Sequence, residues 1–191
     1  MRKLSMDELN RKSVEEFRAS DKLPVVAVLE NIRSAYNVGS LFRTADAFLL
    51  SGVYLCGYTA FPPHKEIKKT ALGAEDTVPW KHFKQISEAL DDLRAEGYRI
   101  FSVEQAVDSI PLHKLHDWLE GEAKGTKGEN ASLQKIAVVF GNEVTGVEQS
   151  TIAHSDGCIE IPQLGMKHSL NVATAAGVVL WELVKGHLAE I

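Results

Sequence analysis

At 191 residues, 45% of them hydrophobic, the chain has apolar material for one well-packed domain and too little length for two. A formal net charge of −5 argues against indiscriminate nucleic-acid binding but leaves room for a local basic patch. No apolar run approaches the ~20 residues that span a bilayer, and no signal peptide opens the chain, so a cytoplasmic protein with no membrane partner is expected. Cys56 and Cys158 both lie in apolar, strand-like contexts, which favours buried free thiols over a disulfide and agrees with a reducing compartment.

Residues 1–20 read as a polar N-terminal helical extension of the domain at 21–191. Leu4, Leu9 and Phe17 are its few apolar anchors. It is read as a peripheral or dimer-clasping segment, although Arg2, Lys3, Arg11 and Lys12 could instead touch an anionic partner. The run Val25–Leu29 suits a buried parallel strand. Apolar residues at 38, 41, 42, 45, 48 and 49 then fit one helical face. Asn37 is the N-cap candidate, and Gly39 would let a second backbone or a ligand come close. Arg43 lies two turns in; taken alone it reads as a salt-bridge partner for Glu30 or Asp46. Val53–Cys56 is the second strand.

Residues 58–84 read as a connector in which Pro62-Pro63 forbids helix. Lys65, Lys68, Lys69, Lys81 and Lys84 interleave there with Phe61, Trp80 and Phe83. Charge for phosphates and rings for unstacked bases suit RNA; an ordinary solvated loop is the plainer reading. The spacing of Phe83, Ile86, Leu90 and Leu93 predicts an amphipathic helix over 82–96, ended by Gly97, before a third strand at Arg99–Val103. The glycine- and charge-rich stretch 108–134 reads as a mobile surface insertion. His113 and His116 within it have no third ligand nearby, and no metal is expected. Ile136–Phe140 is the fourth strand. It delivers the loop Gly141-Asn142-Glu143-Val144-Thr145-Gly146, with helix predicted over 147–154.

The stretch Cys158–Leu183 organises the rest. Ile159 and Ile161 alternate as a strand end, Pro162 stops the ladder, and a loop runs from Gln163 to His168. Ser169 can cap a helix beginning near Leu170, with Asn171 in its first turn, and the small apolar surface beyond asks for close packing. Strand, polar loop and capped helix form the usual ligand end of an α/β unit. The repeated β–α pattern gives a single α/β domain with a mostly parallel sheet. The Rossmann and P-loop fingerprints, a serine elbow and zinc spacing are all absent, so spacing does not choose among nucleotide, coenzyme and sugar phosphate.

Three blocks together resemble the motifs of the SpoU (TrmH) family of RNA ribose 2′-O-methyltransferases, within the SPOUT superfamily. They are Asn37-Val-Gly-Ser-Leu-Phe-Arg43-Thr-Ala-Asp-Ala-Phe48, Val139-Phe-Gly-Asn-Glu143-Val-Thr-Gly-Val147, and Ile161-Pro-Gln-Leu-Gly-Met-Lys-His-Ser169-Leu-Asn171-Val172. The resemblance runs from about Val25 to Leu183. It implies a SPOUT-like fold with a C-terminal deep trefoil knot, and a homodimer whose site forms where two chains meet. It also implies S-adenosylmethionine as methyl donor, held by Phe140, Gly141, Ile161, Met166, Ser169 and Leu170. The same resemblance puts Arg43 at the catalytic centre, with Asn37, Glu143, Ser169 and Asn171 around it. A guanidinium stays protonated in proteins, so an electrostatic role is expected for Arg43 rather than that of general base. Asn37 and Asn171 would orient Arg43 or the ribose, Glu143 would anchor its loop, and Ser169 would either cap its helix or touch substrate. RNA is the implied partner, with transfer RNA expected before ribosomal RNA, contacted by the 1–20 segment, the dimer groove and the 61–84 segment through Lys65, Lys68 and Lys69. A binding protein without turnover is the alternative class.

Overall fold

A computed structural model describes residues 1–5, 7–125 and 134–190 of the chain. Seven strands form one sheet: β1 (Leu23–Glu30), β2 (Leu50–Cys56), β3 (Trp80–Phe83), β4 (Arg99–Val103), β5 (Ile110–Pro111), β6 (Ile136–Phe140) and β7 (Gly157–Glu160). Their order across the sheet is β3-β2-β1-β6-β4-β7-β5, and every neighbouring pair is parallel. The two most apolar runs of the sequence are therefore its centre, with Val25–Leu29 paired to Ile136–Phe140. A parallel sheet needs cover on both faces, which is why these runs are continuous rather than alternating.

The period of two divides them between two cores. Val25, Ala27, Leu29, Ile136, Val138 and Phe140 point into the larger one, together with α2 (Ala35–Ala47) and α7 (Val172–Val184). Val26, Val28, Ala137 and Val139 point to the other face, under α4 (Ile86–Ala95). Both cysteines are buried and unpaired, and burial pushes the Cys56 thiol up to about 12. No helix among the described residues is long and apolar enough to cross a membrane.

The structure revises several expectations. The 58–84 segment is more than a connector: after a cis Pro62-Pro63 bond it forms α3 (Lys65–Ala71), then a 3-10 turn and the edge strand β3. In α3 only Ile67 and Ala71, four residues apart, are buried, a pattern too short to announce itself. Trp80 to Phe83 pair with β2, so the following helix starts at Ile86 rather than near 82. The predicted surface insertion begins as part of the domain, because β5 pairs with β7, and Leu112, Leu115 and Leu119 are buried. Leu115 opens α5 (Leu115–Gly125), on which Trp118 meets the Phe101 ring edge-on at 5.8 Å; residues 126–133 of that prediction lie outside the described residues.

The N-terminal segment carries less helix than expected, a 3-10 turn at Asp7–Leu9 and α1 (Val14–Ala19) behind a Ser13/Glu16 capping box. Of its three proposed anchors, Phe17 is buried while Leu4 and Leu9 stay exposed. The helix predicted over 147–154 shortens to α6 (Gln149–Ala153).

Gly39 fulfils the close approach expected of it, and the approaching group is α3. A Cβ at Gly39 would stand 2.1 Å from Thr70 Oγ1 and 2.4 Å from the Ile67 carbonyl oxygen. Helix preference alone would favour Gly39→Ala by about 1 kcal/mol. The clash reverses that sign, and we expect a net loss of about 1–3 kcal/mol in denaturant unfolding. An unchanged or raised midpoint would show that α2 and α3 can part freely.

Candidate functional site

A hollow of about 710 Å³ opens at the C-terminal ends of β4, β6 and β7. Three loops wall it: 104–109 after β4, 141–147 after β6 and 161–171 after β7. Its size lies within the roughly 300–1,000 Å³ of small-molecule sites. Phe140, Gly141, Ile161, Ser169 and Leu170 all line it; Met166 sits on the same third loop but is 84% exposed and outside the lining.

Close backbone packing shapes the middle loop. Asn142 and Gly146 exchange backbone hydrogen bonds of 3.0 and 2.9 Å, folding the loop back on itself. A Cβ at Gly141 would stand 2.2 Å from the Gly146 carbonyl carbon and the Val147 nitrogen, so this glycine serves the loop's own closure. The Asn142 side chain, nearly buried, accepts from Val144 and Thr145 N–H while donating to the Asn31 carbonyl and the Tyr58 hydroxyl.

Glu143 leaves that loop toward α2. Its carboxylate accepts the backbone N–H of Arg33 at 2.8 Å and of Ser34 at 3.1 Å, and the Asn37 amide at 2.9 Å. Burial opposes its charge, but these donors outweigh it and hold the carboxyl below its ordinary value. The N-cap of α2 is Ser34, which accepts Asn37 N–H; Asn37 is thereby released from the expected cap and extends its side chain outward. Asn171 donates to Asn37 Oδ1 at 3.2 Å and itself caps α7, accepting from Ala173 and Thr174 N–H. The expected cap Ser169 instead faces the hollow. The residues Glu143, Asn37 and Asn171, one from each sequence block, thus form a single hydrogen-bonded line.

Arg43 does not join it. It projects, exposed, from the far part of α2 and lines a different hollow beside the N-terminal segment. Neither expected partner holds it in an ion pair: Glu30 is buried elsewhere, accepting Glu148 N–H at 3.1 Å and the Thr151 hydroxyl at 2.6 Å. Burial raises the Glu30 carboxyl above its ordinary value despite those donors. Lys65, Lys68 and Lys69 are exposed on α3, with Lys69 Nζ 5.8 Å from the Tyr36 ring centre. Lys81, grouped with them in the sequence, is engaged by Asp92 at 2.7 Å and Glu96 at 3.1 Å.

Sequence reasoning missed Glu104 and Gln105, which join the three loops. The Glu104 carboxylate accepts Val147 N–H at 3.1 Å, and Gln105 Nε2 donates to the His168 carbonyl at 2.6 Å. The available signal was a carboxylate placed directly after the apolar strand Arg99–Val103.

The depressed Glu143 carboxyl gives a signed expectation. It stabilises the fold fully above the ordinary carboxyl value of 4.5, and that contribution is lost as pH falls through its lower folded value. Glu143→Gln should cost about 1–3 kcal/mol at pH 7. The gap to wild type should narrow in denaturant titrations below pH 4.5; a pH-independent gap would refute this account.

Comparison with known proteins agrees with this geometry. The model of the SpoU rRNA Methylase family matches residues 24–181. The 23S rRNA (guanosine-2′-O-)-methyltransferase RlmB of Haemophilus influenzae is 32% identical over 183 residues, 96% of this chain and 68% of that protein. The tRNA (guanosine(18)-2′-O)-methyltransferase of Thermus thermophilus is 28% identical over 181 residues, 95% of this chain and 84% of its own. Among solved structures, the AdoMet-bound rRNA methyltransferase of Sinorhizobium meliloti superposes with a TM-score of 0.71 at 25% identity, covering 86% of this chain and 56% of that one. With the matched region spanning the whole parallel sheet and all three loops of the hollow, the chain belongs to the SpoU methylase family.

Proposed function

We propose that the protein transfers a methyl group from S-adenosylmethionine to a ribose 2′-hydroxyl of RNA. The observation that carries this reading is the Glu143–Asn37–Asn171 line, which ties all three sequence blocks together at the edge of the hollow. The hollow suits the donor: its walls mix backbone polar groups with the apolar surfaces of Phe140, Ile161, Leu170 and Val172. The donor supplies a methyl group already activated on a sulfonium, so the protein's task is alignment and management of the acceptor hydroxyl's proton and charge. In this reading loops 104–109, 141–147 and 161–171 hold the donor, and the ties from Glu104 and Gln105 fit the deep trefoil knot of the family.

Arg43 takes an electrostatic role in this reading, not that of general base. Its role is to clamp a phosphate beside the target ribose and to stabilise charge building on the 2′-oxygen. Asn37 and Asn171 fix the acceptor side, with Glu143 holding the N-terminal turn of α2 in register with the donor loops. Since Arg43 does not line its own chain's hollow, the reading includes a homodimer in which it serves the partner's hollow. The exposed face of α7 supports this: Val178 and Trp181 are 41% and 50% exposed, and a Cβ at Gly177 would meet open space. Transfer RNA, the substrate of the 28% identical Thermus thermophilus relative, is the favoured substrate in this reading; 23S rRNA, the substrate of the 32% identical Haemophilus influenzae relative, is the alternative.

The test is transfer of labelled methyl to unmodified tRNA and 23S rRNA transcripts, with nucleosides separated after digestion. Label is expected in a 2′-O-methylated nucleoside of the tRNA; label on a base would overturn the chemistry. Arg43→Ala should lower the transfer rate about 10²–10³-fold while calorimetry shows donor binding intact. Little change would favour a binding protein without turnover. Val178→Asp should yield an inactive monomer, and an active monomer in sedimentation would refute the shared site.

A further inference from the structure

Resting on that reading, we infer that Arg11 and Lys12 complete the acceptor side of the site, binding RNA backbone phosphates that flank the methylated ribose. The second hollow, about 500 Å³, lies between the N-terminal segment and the ends of α2 and α3. Three cations line it, Arg11, Lys12 and Arg43, against one carboxylate, Asp46. In a chain of net charge −5 this is a local reversal of sign, the electrostatic footprint of a polyanion site. Burial first and the nearby Lys12 charge second depress the Lys22 ammonium, while Asp21 opposes them.

The segment carrying the two cations is docked against the domain. Phe17 is buried in the main core, the Lys22 ammonium bonds the Phe17 carbonyl, and Arg18 Nη2 reaches the Asp76 carbonyl at 3.1 Å. The Ser13/Glu16 capping box starts α1 directly after Lys12, so both cations sit on a fixed backbone at the lip of the hollow. Two apolar side chains line the same hollow and remain open to solvent, Val14 at 45% and Leu72 at 66%. Cations for phosphates beside an apolar shelf for an unstacked base match single-stranded RNA, as in a loop or a splayed-out nucleotide. A free nucleotide would need no second and third cation beside Arg43; a continuous backbone would.

A positioning role makes a divided prediction. Arg11→Gln/Lys12→Gln should raise the KM for an unmodified tRNA transcript about tenfold and leave kcat and donor affinity within about twofold. Arg43→Ala should do the reverse and act on kcat. In fluorescence anisotropy with labelled tRNA, the double variant should flatten the log Kd against log salt slope by about 1.4, at roughly 0.7 per lost single-strand phosphate contact. Lys114→Gln, an exposed cation beside β5, is the charge control and should change neither quantity. An unchanged KM and salt slope, or an equal fall in kcat, would overturn the inference. The anisotropy slope decides it even if wild type transfers no methyl to RNA, an outcome that would overturn the proposed function alone. Arg11→Glu/Lys12→Glu should deepen the loss at an unchanged melting temperature; a lowered melting temperature without further loss of binding would assign the cations to structure.

Discussion

The structure around the hollow depends on one carboxylate. Glu143 comes from the loop after β6, yet its hydrogen-bond donors belong to the chain entering α2, more than a hundred residues earlier. The N-terminal turn of a helix offers unpaired N–H groups and the positive end of its dipole, so a carboxylate there is held in charge and in place. Through Asn37 the same contact reaches Asn171, which caps α7. Two helices of one sheet face and a loop at the sheet's ligand end are thereby set relative to one another by a few polar atoms.

The loops around the larger hollow follow the same economy. The 141–147 loop is closed by its own backbone, by the absence of a side chain at Gly141, by the contact of Glu143 with the start of α2 and by Glu104. Buried polar side chains stand where strands end: Glu30 at the close of β1 accepts Glu148 N–H and the Thr151 hydroxyl, Asn142 after β6 accepts Val144 and Thr145 N–H, and Thr59 after β2 accepts Ile32 N–H. Burying such groups unpaired would be costly, so each fixes a unique loop arrangement rather than merely tolerating it.

The candidate functional residues divide between two hollows. The C-terminal half shapes the larger hollow, while Arg43, Arg11 and Lys12 gather at another hollow to which the N-terminal segment contributes a wall. The small-residue and aromatic surface of α7 lies open beside α2, with Trp181 meeting the Phe48 ring at 6.0 Å. In the proposed reading, in-line transfer needs donor and acceptor groups brought together, and a second chain supplies that alignment.

The sequence by itself determined the strands of the sheet centre, because continuous apolar runs such as Ile136–Phe140 have few other uses in a chain of this length. Asn37, Glu143 and Asn171 are named through the resemblance of the three blocks to a family rather than through spacing, and the structure brings them into contact. Short elements were not legible: α3 and β3 contribute too few periodic positions to rise above a lysine-rich connector. The segment 108–125 read as an insertion because its burial against Phe101 and β7 comes from residues distant in the chain. Tertiary structure alone decided that Ser34 and Asn171, rather than Asn37 and Ser169, cap the two helices. It likewise placed Arg43 outside its own chain's hollow and beside Arg11 and Lys12. Capping and proximity depend on which orphaned N–H groups and which charges the folded backbone brings within about 3 Å, and sequence spacing carries no measure of that distance.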